Sequence, residues 1–315
     1  MPKQITIIPD GVLGYIPFEA LLRKLPTNST KFSEHAYLLN DYQISYAYSA
    51  TLYKKMKNRQ HTQTRKTLLA FAPSFVSQQL LANESRSISE VRGLLTDLKY
   101  NIPEVKAIQQ LIGGDIFTDL AATKETFLNK ATAYKILHLS THGKADVIKG
   151  DYAYLAFTEV KDSIENNFLY NKDLYHMNIQ ADLVVLSACE TGIGELQQGE
   201  GIISLARGFS YAGAKSVITT LWSVDDQKTM NIMKQFYSFI KDGAPKDQAL
   251  RQAKLNFLED YGNLAHPFFW APFVPIGDMS PMKFTPMIFN QSYLLKTSLL
   301  LLVLLLVFLS IRRFR

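Results

Sequence analysis

Lys135-Ile-Leu-His-Leu-Ser-Thr-His142-Gly143 and Asp182-Leu-Val-Val-Leu-Ser-Ala-Cys189 are the stretches that decide how this sequence reads. Each is a short, nearly unbroken apolar run, the pattern of a strand buried on both faces of a parallel sheet. In open parallel sheets, ligands and reactive groups collect outside the carboxyl ends of the strands. His142 and Cys189 stand at two such ends, and together they make the two halves of a thiol–imidazole pair. Cys189 is the only cysteine. It therefore has no partner for an internal disulfide and cannot belong to a multi-cysteine metal site. A single cysteine with histidine elsewhere in the chain is a candidate nucleophile, although a lone cysteine after an apolar run is by itself more often a small core residue. The adjoining glycines, Gly143 and then Gly192 and Gly194, favour the reactive reading, because glycine permits tight turns and close approach of a substrate to the backbone.

Working outward, further candidate strands cover residues 4–8, 43–48, 66–72, 135–140, 182–188, 215–221 and 272–276. Helical patterns lie between several of them. Pro103 opens one that stops at Gly113-Gly114. Residues 201–213 give a short helix with Ile202, Leu205, Ala206 and Phe209 on one side. Residues 225–241 and 245–261 give two amphipathic helices. This alternation predicts an α/β domain with a mostly parallel central sheet flanked by helices. Residues 78–96 are polar and read as an exposed loop, and residues 144–168 as a hairpin or insertion following His142.

Several motifs carry a resemblance to a known family. His138-Leu-Ser-Thr-His142-Gly143, Leu186-Ser-Ala-Cys189-Glu-Thr-Gly192, Gly199-Glu-Gly201 and Leu221-Trp222-Ser-Val-Asp225-Asp226 resemble the CHAT domain, the caspase-like domain often found with tetratricopeptide repeats in bacteria. Ile8-Pro-Asp-Gly11, Ile16-Pro-Phe-Glu-Ala20, Trp270-Ala-Pro-Phe273 and Ile276-Gly-Asp278 extend it across roughly residues 1–280. The resemblance implies a caspase-like fold of the clan CD type and a cysteine endopeptidase. Cys189 Sγ would attack a peptide carbonyl and His142 would handle the protons. The backbone N–H groups of Gly143 and Cys189 would form the oxyanion hole. It also implies a protein or peptide substrate and a tetratricopeptide-repeat partner or upstream region that regulates the domain. Related peptidases often prefer Arg or Lys, and Glu190, Asp225 and Asp226 are the candidate substrate-binding acids. An acidic residue at such a position is equally an ordinary helix cap, which suits Asp225. No Asp or Asn is legible as a third member orienting the imidazole, and His138 reads as a packing residue.

The chain has 315 residues, 47% of them hydrophobic, and a formal charge of +6. Five basic residues and no acidic one follow Ser280, so 29 basic against 28 acidic residues remain before it, a net of +1. That balance gives no electrostatic footprint for nucleic acid. No clustered His/Asp/Glu spacing supports a metal centre, and no cofactor is expected. A non-catalytic signalling or scaffold module is the alternative function, since a fold alone does not guarantee activity. Residues 281–292 read as a juxtamembrane linker, 293–311 as a transmembrane helix and 312–315 as a basic tail. The apolar run would span roughly 27 Å, close to the hydrocarbon thickness. The expectation is a single-pass membrane protein. The absence of a secretory signal places residues 1–280 on the cytoplasmic side, against the three tail arginines, which point the other way.

Overall fold

The computed structural model describes residues 3–61, 65–75, 95–158, 167–197 and 201–284. Its strands are β1 (Lys3–Ile7), β2 (Tyr42–Tyr46), β3 (Lys66–Ala72), β4 (Asp115–Thr118), β5 (Tyr134–Ser140), β6 (Gly143–Lys144), β7 (Tyr154–Ala156), β8 (Phe168–Tyr170), β9 (Leu183–Ser187), β10 (Gly194–Gln197), β11 (Gly201–Ser204), β12 (Ser216–Thr220) and β13 (Phe273–Gly277). Its α-helices are α1 (Ala50–Asn58), α2 (Asn101–Ile112), α3 (Lys124–Lys130), α4 (Asn171–Leu174), α5 (Leu205–Ala212), α6 (Asp226–Lys241), α7 (Lys246–Tyr261) and α8 (Pro267–Trp270).

Among the described residues the central sheet has eight strands in the order β1-β2-β13-β12-β9-β5-β3-β4. Every pairing in it is parallel except β12 with β13. The seven expected strands are all present, and the sheet is mostly parallel as the alternation required. β4 was not legible: four half-buried residues directly after a glycine stop give neither a run nor a period.

The strand centre is apolar because both faces are covered. Leu137, Leu139, Val184 and Leu186 point into one layer with Leu205, Ala206 and Phe209 of α5 and Phe127 of α3. Their alternate neighbours, Ile136, His138, Leu183 and Val185, are also buried, on the face that carries α2, α6 and α7. A fully buried Leu or Val contributes roughly 1.5–3 kcal/mol, so these two strands hold the middle of the fold rigidly beneath the edge that bears His142 and Cys189.

One expected element is revised. Residues 201–204 form β11, pairing antiparallel with β10, and the helix begins only at Leu205. Gly201, at φ 78°, occupies the left-handed region that glycine tolerates, and Ser204 caps α5 by accepting from the Arg207 N–H. The hairpin expected after His142 is present, as β6, β7 and β8 make a small antiparallel sheet; residues 159–166 of that expected segment lie outside the described residues. The expected loop at 78–96 lies outside the described residues except for its last two.

The membrane expectation is corrected. Among the described residues no helix is long and apolar enough to cross a membrane. The longest, α6 and α7, have 16 residues each, against about 20 needed for a span, and their outer faces are charged. The single-pass membrane placement, with its cytoplasmic orientation, is therefore not supported, and residues 293–311, on which it rested, lie outside the described residues. The chain divides into two compact units, residues 1–282 and 283–315.

Candidate active site

β5 and β9 are adjacent and parallel, and Ser140 is the register partner of Ser187. His142 and Cys189 each follow two residues later, so the two groups leave the same sheet edge from neighbouring strands, about 4.8 Å apart. Gly143 brings the chains closer still. A Cβ built on it would lie 2.8 Å from the Cys189 carbonyl oxygen and 2.9 Å from the Thr191 methyl. Only glycine lets the backbone after His142 run against the cysteine turn.

That turn is fastened to the end of β12. Gly192 N–H donates to the Thr220 carbonyl at 2.8 Å. The Thr191 and Thr219 hydroxyls share a 2.8 Å hydrogen bond, and the Thr220 N–H donates to Thr191 Oγ1. The Thr220 hydroxyl donates to the Ala188 carbonyl. Glu190, directly after the cysteine, has φ 55°, a left-handed conformation costing a non-glycine residue about 1–2 kcal/mol. Strain held by surrounding contacts is common at functional turns. Cys189 itself is free and half-buried.

His142 is half-buried between the Phe75 ring, 4.9 Å away between centroids, and the Thr96 carbonyl. Its Nε2 lies 2.6 Å from that oxygen. A carbonyl only accepts, so Nε2 carries the hydrogen and a neutral imidazole keeps its free lone pair on Nδ1. The group that holds the His142 ring is thus a main-chain carbonyl, which no side-chain pattern could have revealed. The Gly143 N–H is also free of the neighbouring ladder. Ala156 N–H donates to the His142 carbonyl, so the next antiparallel pair, Gly143 with Leu155, is a non-hydrogen-bonded one.

Cys189 lines a small cavity with Leu98, Asn101, Glu104, Ser140, Thr141, Ser187, Ala188, Val224, Asp226 and Thr229. The structure separates the three candidate acids. Asp225 caps α6, its carboxylate accepting from the Lys228 N–H at 3.0 Å, and is exposed. Glu190 does not line the cavity. Asp226 does. Burial pushes its carboxyl above the usual range, His142 opposes the shift, and Asp225 and Glu104 add to it.

Three other motif residues make structural contacts. His138 is fully buried, with Nε2 2.8 Å from Glu104 and Nδ1 3.1 Å from the Tyr237 hydroxyl. Glu19 forms a buried ion pair with Lys254 at 2.8 Å and accepts from Tyr46. Trp222 donates to the Phe268 carbonyl and stacks on that ring.

A parallel sheet that presents a histidine and a cysteine side by side at one edge defines an α/β domain of the caspase-like class. The CHAT-domain family model matches residues 2–278, and the chain belongs to that family. Among curated relatives, tetratricopeptide repeat protein 28 of Mus musculus is 22% identical over 307 residues, and that of Homo sapiens 23% over 315. In both cases the match covers 87% of this chain but only 12% of the relative. These relatives are mammalian and lend no support to a bacterial origin. Among solved structures, the Saccharomyces cerevisiae separase–securin complex superimposes with a TM-score of 0.50 and 12% identity, covering 86% of this chain and 15% of that one. The Arg-specific cysteine proteinase gingipain R gives a TM-score of 0.49 at 10% identity, covering 77% and 55%. These likenesses concern the fold alone.

Proposed function

We propose that this chain is a caspase-like cysteine endopeptidase working through His142 and Cys189. The observation that carries the reading is the β5–β9 register, with Gly143 pressed against the Cys189 carbonyl. It supports a thiol and an imidazole meeting at one sheet edge. In this mechanism the Cys189 thiolate attacks the scissile carbonyl carbon. His142 Nδ1, its tautomer set by Thr96, takes the thiol proton and returns it to the leaving amine as the C–N bond breaks, and water deprotonated by the same nitrogen then hydrolyses the Cys189 thioester, releasing the acid and restoring the thiol. The imidazolium stabilises the thiolate before attack, and the N–H groups of Gly143 and Cys189 receive the developing oxyanion. Asp226, of the three candidate acids, faces the substrate and meets a basic side chain N-terminal to the scissile bond. The substrate is a protein or peptide.

Tetratricopeptide-repeat relatives, of whose length the match covers only 12%, support a regulator of that kind, in a partner or in a longer form of the protein. The test is cleavage of a positional peptide library by the wild type. Accumulation of products that depends on Cys189 supports the peptidase. Intact peptides throughout would point instead to a non-catalytic scaffold module.

A further inference from the structure

The His142 ring is held by two segments that take no part in the cleavage step, the exit of β3 and residues 95–97. Phe75, the third residue past β3, is 0% exposed and packs with Ala156 of β7 and Phe168 of β8 as well as against the imidazole. The main chain leading to it is pinned from two further elements. The Asn101 side chain, at the start of α2, donates to the Pro73 carbonyl at 2.8 Å. The Ser74 N–H donates to the Thr158 hydroxyl at 3.1 Å, and that hydroxyl donates in turn to the Asp119 carbonyl at 2.6 Å. The β3 exit is therefore a fixed post. Three consecutive residues attach to this post and to the ring, with one contact each. Leu95 packs against the Phe75 cluster. Thr96 turns its carbonyl to His142 Nε2. Asp97 Oδ1 accepts from the Phe75 N–H at 2.6 Å.

We propose that Asp97 is a positioning residue for His142: its carboxylate ties residues 95–97 to the β3 exit and so keeps the Thr96 carbonyl on Nε2, leaving Nδ1 as the free base. This role rests on the peptidase reading above and adds a residue that acts on the proposed base only through its neighbour. Thr96 and Asp97 are both exposed, so packing does not hold that carbonyl in place. Its position comes from the anchors on either side, Leu95 by packing and Asp97 by a charge-assisted hydrogen bond, which is roughly twice as strong as a neutral one. The bond is also hard to replace. Phe75 has no exposed surface, so without the carboxylate its N–H is a buried donor left unpaired. The two ends of the clamp differ in what else holds them. Phe75 keeps its packing, Asn101 and Thr158 when Asp97 is truncated, whereas Thr96 keeps only Leu95. Truncation therefore frees the carbonyl and leaves the post standing.

The test compares Asp97→Ala with Asp97→Asn, whose amide oxygen can still accept from the Phe75 N–H. Thermal melts check that both variants are folded at the assay temperature. One readout is the His142 Nε2–H proton in ¹⁵N-edited NMR spectra, assigned by its disappearance in His142→Asn. A ring N–H bonded to a carbonyl is protected from exchange with water, and freeing Thr96 should speed that exchange about tenfold in Asp97→Ala. The other is cleavage of the best peptide from the library above. Asp97→Ala should lower kcat about tenfold with KM within about twofold, as expected when a catalytic group is misplaced. Asp97→Asn should stay within about threefold of the wild type in both readouts. Four results overturn the proposal: no protected Nε2–H in the wild type, wild-type protection in Asp97→Ala, wild-type kcat in Asp97→Ala, or a loss in Asp97→Asn equal to that in Asp97→Ala. Faster exchange in Asp97→Ala alone, with no cleavage of any peptide by the wild type, removes the peptidase and leaves the positioning role.

Discussion

Asp225 and Asp226 are sequence neighbours with different surroundings, and the difference makes a prediction. Asp225 ends its side chain on the Lys228 N–H, so Asp225→Ala should cost about 1 kcal/mol of stability as a lost N-cap. It should slow all peptides alike. Asp226→Asn should instead reduce cleavage of basic substrates selectively, seen as a change in kcat/KM ratios between lysine and norleucine peptides. The pH dependence follows from the same carboxyl. Burial raises its pKa above 3.8 despite His142, so the native fold favours the protonated acid and ionisation comes at a higher pH than for a free aspartate. Only the ionised form attracts a cation. Lysine-peptide cleavage should therefore rise with pH through a limb above that ordinary value, and Asp226→Asn should remove the limb. At this scale the sequence was partly readable. His142, Cys189 and Gly143 stood out as candidates at two strand ends, and the β5–β9 register brings those ends together. Thr96 did not stand out, because its contribution is a carbonyl that every residue type possesses. Glu104 did not either, because it sits in a helix with no motif around it.

At the level of elements, the reactive turn depends on β12 more than on its own sequence. Thr191 serves the Thr219 hydroxyl and the Thr220 N–H at once, and it is fully buried. Thr191→Val leaves two buried groups unsatisfied, a cost of about 1–3 kcal/mol for each group left unpaired. The account expects a lowered denaturation midpoint together with a larger fall in kcat than rise in KM, because the turn carries Cys189, the proposed nucleophile. The Ile16-Pro-Phe-Glu-Ala20 motif has a different purpose. Its Glu19 anchors the N-terminal segment to α7 through Lys254, with side chains 4% and 1% exposed. Lys254→Met should destabilise by about 3–5 kcal/mol, because it strands a buried carboxylate. Adding Glu19→Gln should recover part of the loss in chemical denaturation. The elements themselves were legible wherever burial imposed a period. Residues 201–213 misled because Ile202, Leu205, Ala206 and Phe209 satisfy a helical stripe, whereas Gly201 and the pairing with β10 divert the first four residues into a strand. Tertiary pairing overrode a local pattern there.

Across the whole molecule, the end of the sheet opposite the active site is tied together by Asp182. Its carboxylate meets His61 at 3.2 Å, Arg65 at 3.0 Å and Lys215 at 3.2 Å. Burial alone would raise its pKa, but the His61 hydrogen bond and the charges of Arg65 and Lys215 outweigh it and hold the carboxyl well below 3.8. A depressed acid contributes stability that is present above its unfolded pKa and lost as pH falls toward the folded one. Acid unfolding should therefore steepen below about pH 4, and Asp182→Asn should flatten that part of the stability–pH curve measured by denaturant titration. The α/β class and the strand ends after which His142 and Cys189 stand could be read from one sequence, because burial on both faces writes apolar runs. The cavity could not, since α2, β9 and α6 meet only in three dimensions. The central claim, catalysis by Cys189 with His142, is tested most directly by library cleavage with the wild type, Cys189→Ala, His142→Ala and the double variant. Each single change should abolish cleavage with the fold intact, and the double should be no worse than either, because the two act as one unit. Undiminished cleavage by Cys189→Ala would contradict the account.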